Sequence, residues 1–304
     1  MSDVASGLAV RTAQSVFDEL VRVSFVIVSG KGGVGRTTIA ALCGLALAER
    51  GRKVLVATTG HDDRLAWMLG ARELGDAPQP VLPGLHIQRL SAPTCVREYG
   101  ALVLRSNRLS KAVFDNRVVS RLMRAIPGLD DFSLVGKAWH DAFRSGVYDT
   151  VVFDGPATGH LLYTLGVPRA ILQSIAPGPL TREAELMQAH FQDPSRTSAL
   201  LVGLPEQWPL TELGELGTAL REQIGVQASA IFVNQLWPSD VPVEEPPSSA
   251  SESAAAILRE TARMAAIGRR QRQEIASWRA GPGAPQGTAA VMVPWRAGGV
   301  ADID

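Results

Sequence analysis

The stretch VIVSGKGGVGRTT, residues 26–38, joins an apolar run to a helix-forming run through a glycine-rich turn. Gly30, Gly35 and Thr37 stand at the spacing of the phosphate-loop pattern G-x-x-x-x-G-K-[S/T]. Arg36 occupies the position at which that pattern has lysine. Glycines at these positions let backbone N–H groups turn inward and approach phosphate oxygens closely. The stretch therefore predicts a buried strand, a phosphate-binding loop and a helix, in that order.

The residue types in this loop indicate how each would contact a nucleotide. The helix that begins near Thr37 directs the positive end of its dipole at the phosphates. We expect the hydroxyl of Thr37 to ligate Mg²⁺ and that of Thr38 to contact an inner phosphate. A glycine-rich turn without a ligand is the alternative, but the tandem threonines after the loop favour nucleotide binding. The predicted nucleotide-binding residues of the loop are Gly30, Gly32, Gly33, Val34, Gly35, Arg36, Thr37 and Thr38.

Short apolar, β-branched runs recur along the chain, and most of them lack strict polar alternation. Such runs are typical of strands that are covered on both faces of a parallel sheet. Helix-compatible segments separate most of them, for example residues 37–51 and 209–225, each of which ends in glycine. The alternation predicts an α/β fold, a doubly wound and mostly parallel sheet in one P-loop NTPase domain over residues 1–304. The predicted strands are residues 23–28, 53–57, 85–90, 149–153, 199–204, 229–233 and 289–293.

Two regions interrupt this alternation. Residues 91–146 are mostly helical in pattern and predict a helical insertion between two strands. Residues 237–253 are rich in proline, serine and glutamate and predict a flexible surface loop. A predicted helix over residues 254–280 carries six arginines against two glutamates. The arginines would suit an anionic partner, but we favour a solvated face on a helix that packs through its isoleucine, leucine and methionine side.

The composition excludes several classes of protein. The formal net charge is zero, which gives no overall field for nucleic acid or acidic membranes. The two cysteines, Cys43 and Cys95, are far apart and form no CxxC pair, so we expect neither a disulfide framework nor a structural zinc site. No run approaches the ~18 apolar residues of a membrane span, and the first residues lack the basic start and apolar core of a signal peptide. We expect a soluble, cytoplasmic protein.

Lys31, directly after the first glycine of the loop, is a second cation at the phosphate site. With it, the stretch GKGGVG resembles the deviant phosphate loop of the MinD/ParA/ArsA group of ATPases. The resemblance implies that Lys31 reaches across a dimer interface to the phosphates of the other subunit and acts there as an arginine finger does. A solvated loop lysine is the alternative interpretation.

The stretch YDTVVFDGPATGHLLYTLGVPRAI, residues 148–171, narrows the resemblance to the ArsA family. That family has the pattern D-x-x-P-T-G-H-x-L-x-x-L-x-x-P, and it includes arsenite-pump ATPases, ATPases that target tail-anchored membrane proteins, and bacterial relatives. This chain departs from it at Pro156 and Ala157, where the family commonly has Ala-Pro. The resemblance implies that Asp154, at the end of a strand, holds Mg²⁺ through water. The matching residues are Asp154, Thr158, Gly159, His160, Leu165 and Pro168.

Two more stretches carry the resemblance towards the carboxyl terminus. ALLVGLPEQWPLTELGELGTAL and SAIFVNQL, within residues 199–236, are similar to the family's LPE…P..E unit and to its V-N-[QR] strand end. The match implies that Asn234 contacts the adenine edge. VMVPW resembles the family's final strand, which makes Pro294 a candidate neighbour of the base. The family implies ATP and Mg²⁺ as cofactors, Thr37 and Asp154 at the metal, and Lys31, Arg36 and Asp154 as catalytic residues.

The sequence departs from the family at the residue that orients the attacking water. An ungapped alignment of KVLVATTGHDDRL, residues 53–65, puts the family aspartate on Gly60, which has no side chain to position water. Asp62 or Asp63 could replace it if the loop folds back, but we favour a role for both as caps of the next helix. Arg36 keeps the positive charge of lysine but is bulkier, so a contact worth ~2–4 kcal/mol in the transition state is displaced. We therefore expect slow hydrolysis.

These features predict a dimeric ATP-binding ATPase whose nucleotide state opens and closes the dimer and presents the insertion to a protein client. The stretch IPGLDDFSLVGKAW, residues 126–139, looks most like bacterial ArsA-like proteins, some of which are paired, unequal subunits. One alternative is therefore a non-hydrolysing regulatory subunit that gives Lys31 to a related ATPase in a heterodimer. Another is a MinD/ParA-like positioning switch, although the last residues, RAGGVADID, form neither an amphipathic helix nor a basic patch. The sequence lacks the paired cysteines of zinc-linked targeting ATPases and a cysteine cluster for arsenite.

Overall fold

Strand β1 (Phe25–Gly30) lies near the middle of an eight-stranded sheet in the computed structural model. The other strands are β2 (Val54–Thr58), β3 (Gln79–Leu82), β4 (Leu85–Arg89), β5 (Thr150–Asp154), β6 (Thr197–Gly203), β7 (Ala228–Leu236) and β8 (Ala289–Pro294). Their order across the sheet is β3-β4-β2-β5-β1-β6-β7-β8. All neighbouring pairs are parallel except β3 and β4, which are antiparallel. The structure describes residues 8–104, 129–174, 176–240, 251–285 and 287–296.

Glycines and one serine mark the ends of the main helices. Helix α2 begins directly after Gly35, whose φ of +96° is left-handed, and is followed by Gly51 with a φ of +79°. The side chain of Ser251 accepts a hydrogen bond from the amide of Ala254 and caps the last helix. The described helices are α1 (Ala13–Leu20), α2 (Arg36–Glu49), α3 (Arg64–Met68), α4 (Ala92–Leu104), α5 (Leu129–Phe143), α6 (Thr158–Ser174), α7 (Pro179–Gln192), α8 (Gln207–Ala219, extended by a π turn over Leu220–Ile224) and α9 (Glu252–Ala280).

Strand β1 divides its side chains between two apolar layers. Phe25 and Ile27 lie in one layer, with side chains of α5, α6 and α7. Val26 and Val28 lie in the other, with side chains of α1, α2 and α3. Because all four side chains are fully buried, both faces of the sheet are covered, and the run has no polar alternation. The predicted doubly wound, mostly parallel sheet is confirmed.

The seven predicted strands are all present, with ends displaced by at most three residues. Strand β3 was not predicted. It contains Pro80 and lies at the edge of the sheet as its antiparallel strand. Proline cannot donate to a neighbouring strand and is therefore found on edge strands, where the sequence signal for a strand is weak.

The two interruptions of the pattern are described only in part. Helices α4 and α5 lie within the predicted 91–146 insertion, and residues 105–128 between them lie outside the described residues. The predicted loop over residues 237–253 also falls largely outside them, because residues 241–250 are not described. Helix α9 begins at Glu252, two residues before the predicted start.

Helix α9 packs as the sequence predicted only in its second half. Ile275 is buried there with Ala265, Gly268 and Gln271, whereas Ile257 in the first half is 67% exposed. Arg272 and Arg279 donate to the backbone carbonyls of Trp237 and Leu8, so these two arginines hold the helix against the residue after β7 and against the first described residue. In the described parts of the chain, no helix is long and apolar enough to cross a membrane.

Candidate functional site

The glycine-rich loop of residues 30–35 joins the carboxyl end of β1 to α2. Gly33 and Gly35 have φ values of +81° and +96°, which residues with a side chain rarely adopt. A Cβ on Gly30 would lie 2.0 Å from the carbonyl oxygen of Val202, and one on Gly35 would lie 2.2 Å from Asn234 Nδ2. The sheet therefore packs so closely on the loop that glycine is required at both positions.

Asp154, the last residue of β5, is the centre of a hydrogen-bond network below this loop. Thr37 Oγ1 and Thr58 Oγ1 each donate to Asp154 Oδ2 at 2.8 Å, and the amide of Gly60 donates to Thr58 Oγ1 at 3.0 Å. Burial raises the pKa of Asp154 above its ordinary value, and the hydrogen bonds from the two threonines oppose that shift. The ends of β1, β2 and β5 thus bring together the two residues that the sequence predicted as metal ligands.

Arg36 contacts the polypeptide that follows Asp154. Its Nη1 atom donates to the carbonyl oxygen of Gly155 at 2.5 Å, a link between two residues that are 119 positions apart. Beside it, the hydroxyl of Thr38 lies 3.7 Å from Met68 Sδ on α3. The loop thus contacts the segment after β5 through Arg36 and α3 through Thr38.

Lys31 forms an ion pair with a residue that the sequence analysis did not single out. Its Nζ atom lies 2.9 Å from Glu212 Oε1 on α8, and the two side chains are 59% and 39% exposed. Glu212 lies within the LPEQWPLTE stretch that carries the family resemblance, which was the available sequence signal. Trp208 precedes it by one helical turn and is 77% exposed, a high value for a large apolar side chain.

Asn234 and Pro294 lie at the carboxyl ends of β7 and β8. Asn234 Nδ2 donates to the carbonyl oxygen of Val34 at 2.8 Å, which ties the phosphate loop to β7. Beyond them, Trp237 and Trp295 stack with their ring centroids 4.5 Å apart and their planes 8° from parallel. This indole pair was not predicted from the sequence, because the partners are 58 positions apart and no motif contains both.

Two neighbouring aspartates near Gly60 have different surroundings. Asp63 Oδ1 accepts from the amide of Leu74 at 3.0 Å and from Arg89 Nη2 at 2.7 Å. Asp62 is exposed, accepts from the amide of Arg64 at the start of α3, and raises the pKa of Asp154 slightly by its charge. Asp63 is thus engaged in structural contacts, and Asp62 is the carboxylate within electrostatic reach of Asp154.

The family motif after Asp154 connects the site to α5. His160 Nε2 lies 2.7 Å from Asp131 Oδ1, and Thr164 Oγ1 donates to the same oxygen at 3.1 Å. Leu165 and Pro168 are buried along α6. Because Asp131 lies in the predicted insertion, α6 joins the segment after Asp154 directly to that insertion.

The residues of the loop fit a nucleotide and a hard cation. A Cβ on Gly32 or Gly33 would meet no atom of the described residues within 4 Å, so the surface of the loop is open there. Thr37 and Asp154 supply a hydroxyl and a carboxylate oxygen 2.8 Å apart, and oxygen ligands are those that Mg²⁺ prefers.

Comparison with known proteins shows which family of ATPases this chain belongs to. The model of a family described as anion-transporting ATPase, ArsA, matches residues 23–176 of the 304-residue chain. A Halobacterium salinarum protein, whose name assigns it to the arsenical pump-driving ATPases, is 30% identical over 252 residues, covering 75% of this chain and 38% of that protein. ATPase BagA of Mycobacterium tuberculosis is 30% identical over 235 residues, covering 70% of this chain and 65% of that protein.

A third relative is the arsenical pump-driving ATPase of Escherichia coli, 29% identical over 218 residues, with 70% of this chain and 35% of that protein covered. The chain thus spans between 35% and 65% of the length of these three relatives. The family match begins just before β1 and ends just after α6, so it includes the glycine-rich loop, Asp154 and the helix that leads to Asp131. The chain belongs to the ArsA family of anion-transporting ATPases.

Proposed function

We propose that this chain is an ATP-binding ATPase subunit that works in pairs, and that its nucleotide state controls closure of the pair and exposure of the insertion to a protein client. The observation that carries the proposal is the network of Thr37, Asp154 and Thr58 directly beside the glycine-rich loop. A buried carboxylate that is held by two hydroxyls beside an open glycine-rich loop suits a metal–triphosphate.

Residues of the loop and of the strand ends have distinct roles in this proposal. The amides of Gly32 and Gly33 bind phosphate oxygens, and the start of α2 adds the positive end of its dipole. Thr37 and Asp154 hold Mg²⁺, Asp154 through water. A bound Mg²⁺ supplies charge neutralisation at the outer phosphate oxygens. Asn234 contacts the adenine edge, and Lys31 reaches the phosphates of the second subunit, as the family resemblance implies.

Two features support slow hydrolysis. Gly60 offers no side chain to orient water, and Asp63 is engaged by Arg89 and by the amide of Leu74. Arg36 is bonded to Gly155 and would have to leave that carbonyl to contact an outer phosphate. A missing water-orienting group and a displaced cation each cost about 10²-fold or more in rate, although the two losses need not add.

The test is a titration of the purified chain with ATP, with and without Mg²⁺, followed by measurement of phosphate release. We expect micromolar binding that depends on Mg²⁺, with slow turnover. The Asp154→Asn variant should lose the Mg²⁺-dependent part of the affinity, whereas Glu185→Gln, which removes a charge from the exposed face of α7, should not. Binding of ATP that is equal with and without Mg²⁺ in the parent chain would refute the proposed site.

A second candidate function is that of a regulatory subunit, which gives Lys31 to the site of a related ATPase and does not hydrolyse ATP itself. The observation that favours it is Gly60 together with the engaged side chain of Asp63. The experiment mixes this chain with a related subunit and compares the parent chain with Lys31→Ala. Turnover by the mixture that Lys31→Ala leaves unchanged would refute this role.

We propose that this chain has a role other than the arsenical pump-driving one in the names of two of the relatives. Cys43 and Cys95 lie in different apolar layers of the fold. Burial raises the pKa of each thiol to about 12, so neither is a thiolate at neutral pH. Two buried, separated thiols cannot coordinate one arsenite, and we propose a protein client instead.

A further inference from the structure

The ion pair between Lys31 and Glu212 links the phosphate loop to α8 within one chain. The two residues are 181 positions apart, so the contact is made by the fold and not by local sequence. Its 2.9 Å separation is that of a charge-assisted hydrogen bond. The Lys31 ammonium is therefore held at α8 in the lone chain.

The surface around the pair is open. Trp208 and Glu212 are spaced i and i+4 on α8, so both side chains lie on the same face of the helix as the Lys31 contact. Trp208 is 77% exposed and Lys31 is 59% exposed, so this face of the chain can be covered by another molecule. Exposed tryptophans are the residues that most often anchor protein interfaces.

We propose that Glu212 is a positioning residue, which holds Lys31 on its own subunit until a second ATPase subunit with bound nucleotide covers this surface. The inference rests on the proposed function, in which Lys31 acts at the phosphates of the second subunit. The phosphates of that subunit compete with Glu212 for the ammonium group. The exchange is charge for charge, because Lys31 leaves one anion to contact another.

The strength of the pair is suited to this exchange. Exposed ion pairs stabilise a contact weakly, so removal of Glu212 should change the availability of Lys31 by about two- to fivefold. A pair of that strength restrains the lysine in the lone chain but does not prevent its transfer. A buried pair would be too costly to open in each cycle.

The first experiment tests the restraint in the lone chain. The dilute protein without nucleotide is treated with an amine-acylating reagent, and labelling at Lys31 is measured by peptide mass spectrometry relative to Lys53. Glu212→Gln should raise the ratio about two- to fivefold, because the ammonium no longer has to leave a carboxylate before it reacts. Glu215→Gln removes the same charge from the exposed side of the same helix and is the matched control. An unchanged ratio in Glu212→Gln overturns the inference.

The second experiment tests the function of the restraint. Association of the full chain is followed by sedimentation with ATP and Mg²⁺, and the concentration at half-association is compared among variants. Glu212→Gln should lower that concentration about two- to fivefold, Glu215→Gln should leave it unchanged, and Lys31→Ala should raise it whether or not Glu212 is present. A change that Glu212→Gln produces equally in the Lys31→Ala background would be a structural effect of α8 and would overturn the inference.

The two proposals fail in different ways. If the parent chain binds no ATP, or with ATP associates neither with itself nor with a related subunit, the proposed paired cycle is wrong and the inference falls with it. If the parent chain associates but Glu212→Gln does not shift the midpoint, only the role of Glu212 is wrong.

Discussion

At the scale of single residues, Gly60 accounts for the slow hydrolysis that we propose. Its φ is not left-handed, and a Cβ there would meet only Thr58 Oγ1, at 3.2 Å. A side chain can therefore be added with a displacement of a few tenths of an ångström. We expect Gly60→Asp to raise turnover by at least about tenfold, because it restores a carboxylate that can orient water.

The measurement is phosphate release under saturating ATP and Mg²⁺. His61→Asp is the control, since it adds the same charge to the adjacent exposed position. Equal gains in the two variants would show that added charge, and not its position at residue 60, is responsible.

Arg36 gives a second prediction at this scale. The guanidinium is bonded to Gly155, whereas the shorter lysine side chain would leave that carbonyl and remain available for an outer phosphate. We expect Arg36→Lys in the Gly60→Asp background to raise turnover about 10- to 100-fold further. Arg36→Gln in the same background removes the charge and should lower turnover. A rate that falls equally in both variants would mean that Arg36 itself is the productive residue.

Single residues also mark the limit of sequence-based prediction. Thr37 and Asp154 were identified correctly as neighbours because each stands at a fixed place in a motif, at the end of a strand or the start of a helix. The partners of Lys31, Arg36 and Asp63 were not predicted. Those contacts join positions 181, 119 and 26 residues apart, and no local pattern determines which side chain meets which carboxylate or carbonyl.

At the scale of secondary-structure elements, α6 joins the segment after Asp154 to helix α5 of the insertion. Asp131 Oδ1 on α5 lies 2.7 Å from His160 Nε2 and accepts from Thr164 Oγ1 on α6, and the Asp131 side chain is only 15% exposed. The sequence predicted a helical insertion and the family motif after Asp154, but not a contact between them. His160 could be recognised from its place in that motif. Its partner Asp131 lies in the insertion, where the hydrophobic pattern predicts helices but does not determine how they pack.

We predict that Asp131→Asn loosens this connection. An amide interacts more weakly than a carboxylate with the neighbouring His160 and Thr164, and because His160 is 58% exposed the free energy of unfolding should fall by only about 1 kcal/mol. Urea denaturation measures the loss. Asp130→Asn, which changes the exposed neighbour, should cost less than ~0.5 kcal/mol. A loss in Asp130→Asn as large as that in Asp131→Asn would trace the effect to the charge of the helix start and not to the contact with α6.

At the scale of the whole molecule, the pattern of buried runs was sufficient to predict the sheet, because a strand covered on both faces must be apolar throughout. The same pattern did not predict β3, which is an edge strand that contains proline. It also did not predict how the first half of α9 packs, since Ile257 is exposed there. Both lie at the periphery, where burial no longer dictates residue type. The centre of the fold, and with it the position of the phosphate loop, was therefore more predictable than the margins.

The aromatic cluster between α5 and α7 makes the stability of the fold depend on pH. Trp139 is fully buried, and its Nε1 donates to His190 Nδ1 at 3.0 Å, so the bond requires that this nitrogen carry no proton. Burial, followed by the charge of Arg196, lowers the pKa of His190 below its ordinary 6.5. The unfolded chain therefore binds the proton more readily than the folded chain, and acidification through pH 6.5 favours unfolding.

We predict that the free energy of unfolding falls between pH 7.5 and pH 5.5 (about one unit on each side of the ordinary histidine pKa). The slope due to His190 should be smaller than the ~1.4 kcal/mol per pH unit of a fully coupled proton, since the ring is partly exposed. His190→Gln keeps an acceptor for Trp139 but does not titrate, so its stability should fall less over the same range. His86, whose pKa burial also lowers, keeps its contribution in both proteins and cancels in the difference. Parallel pH profiles of the parent and His190→Gln would show that the proton binds elsewhere.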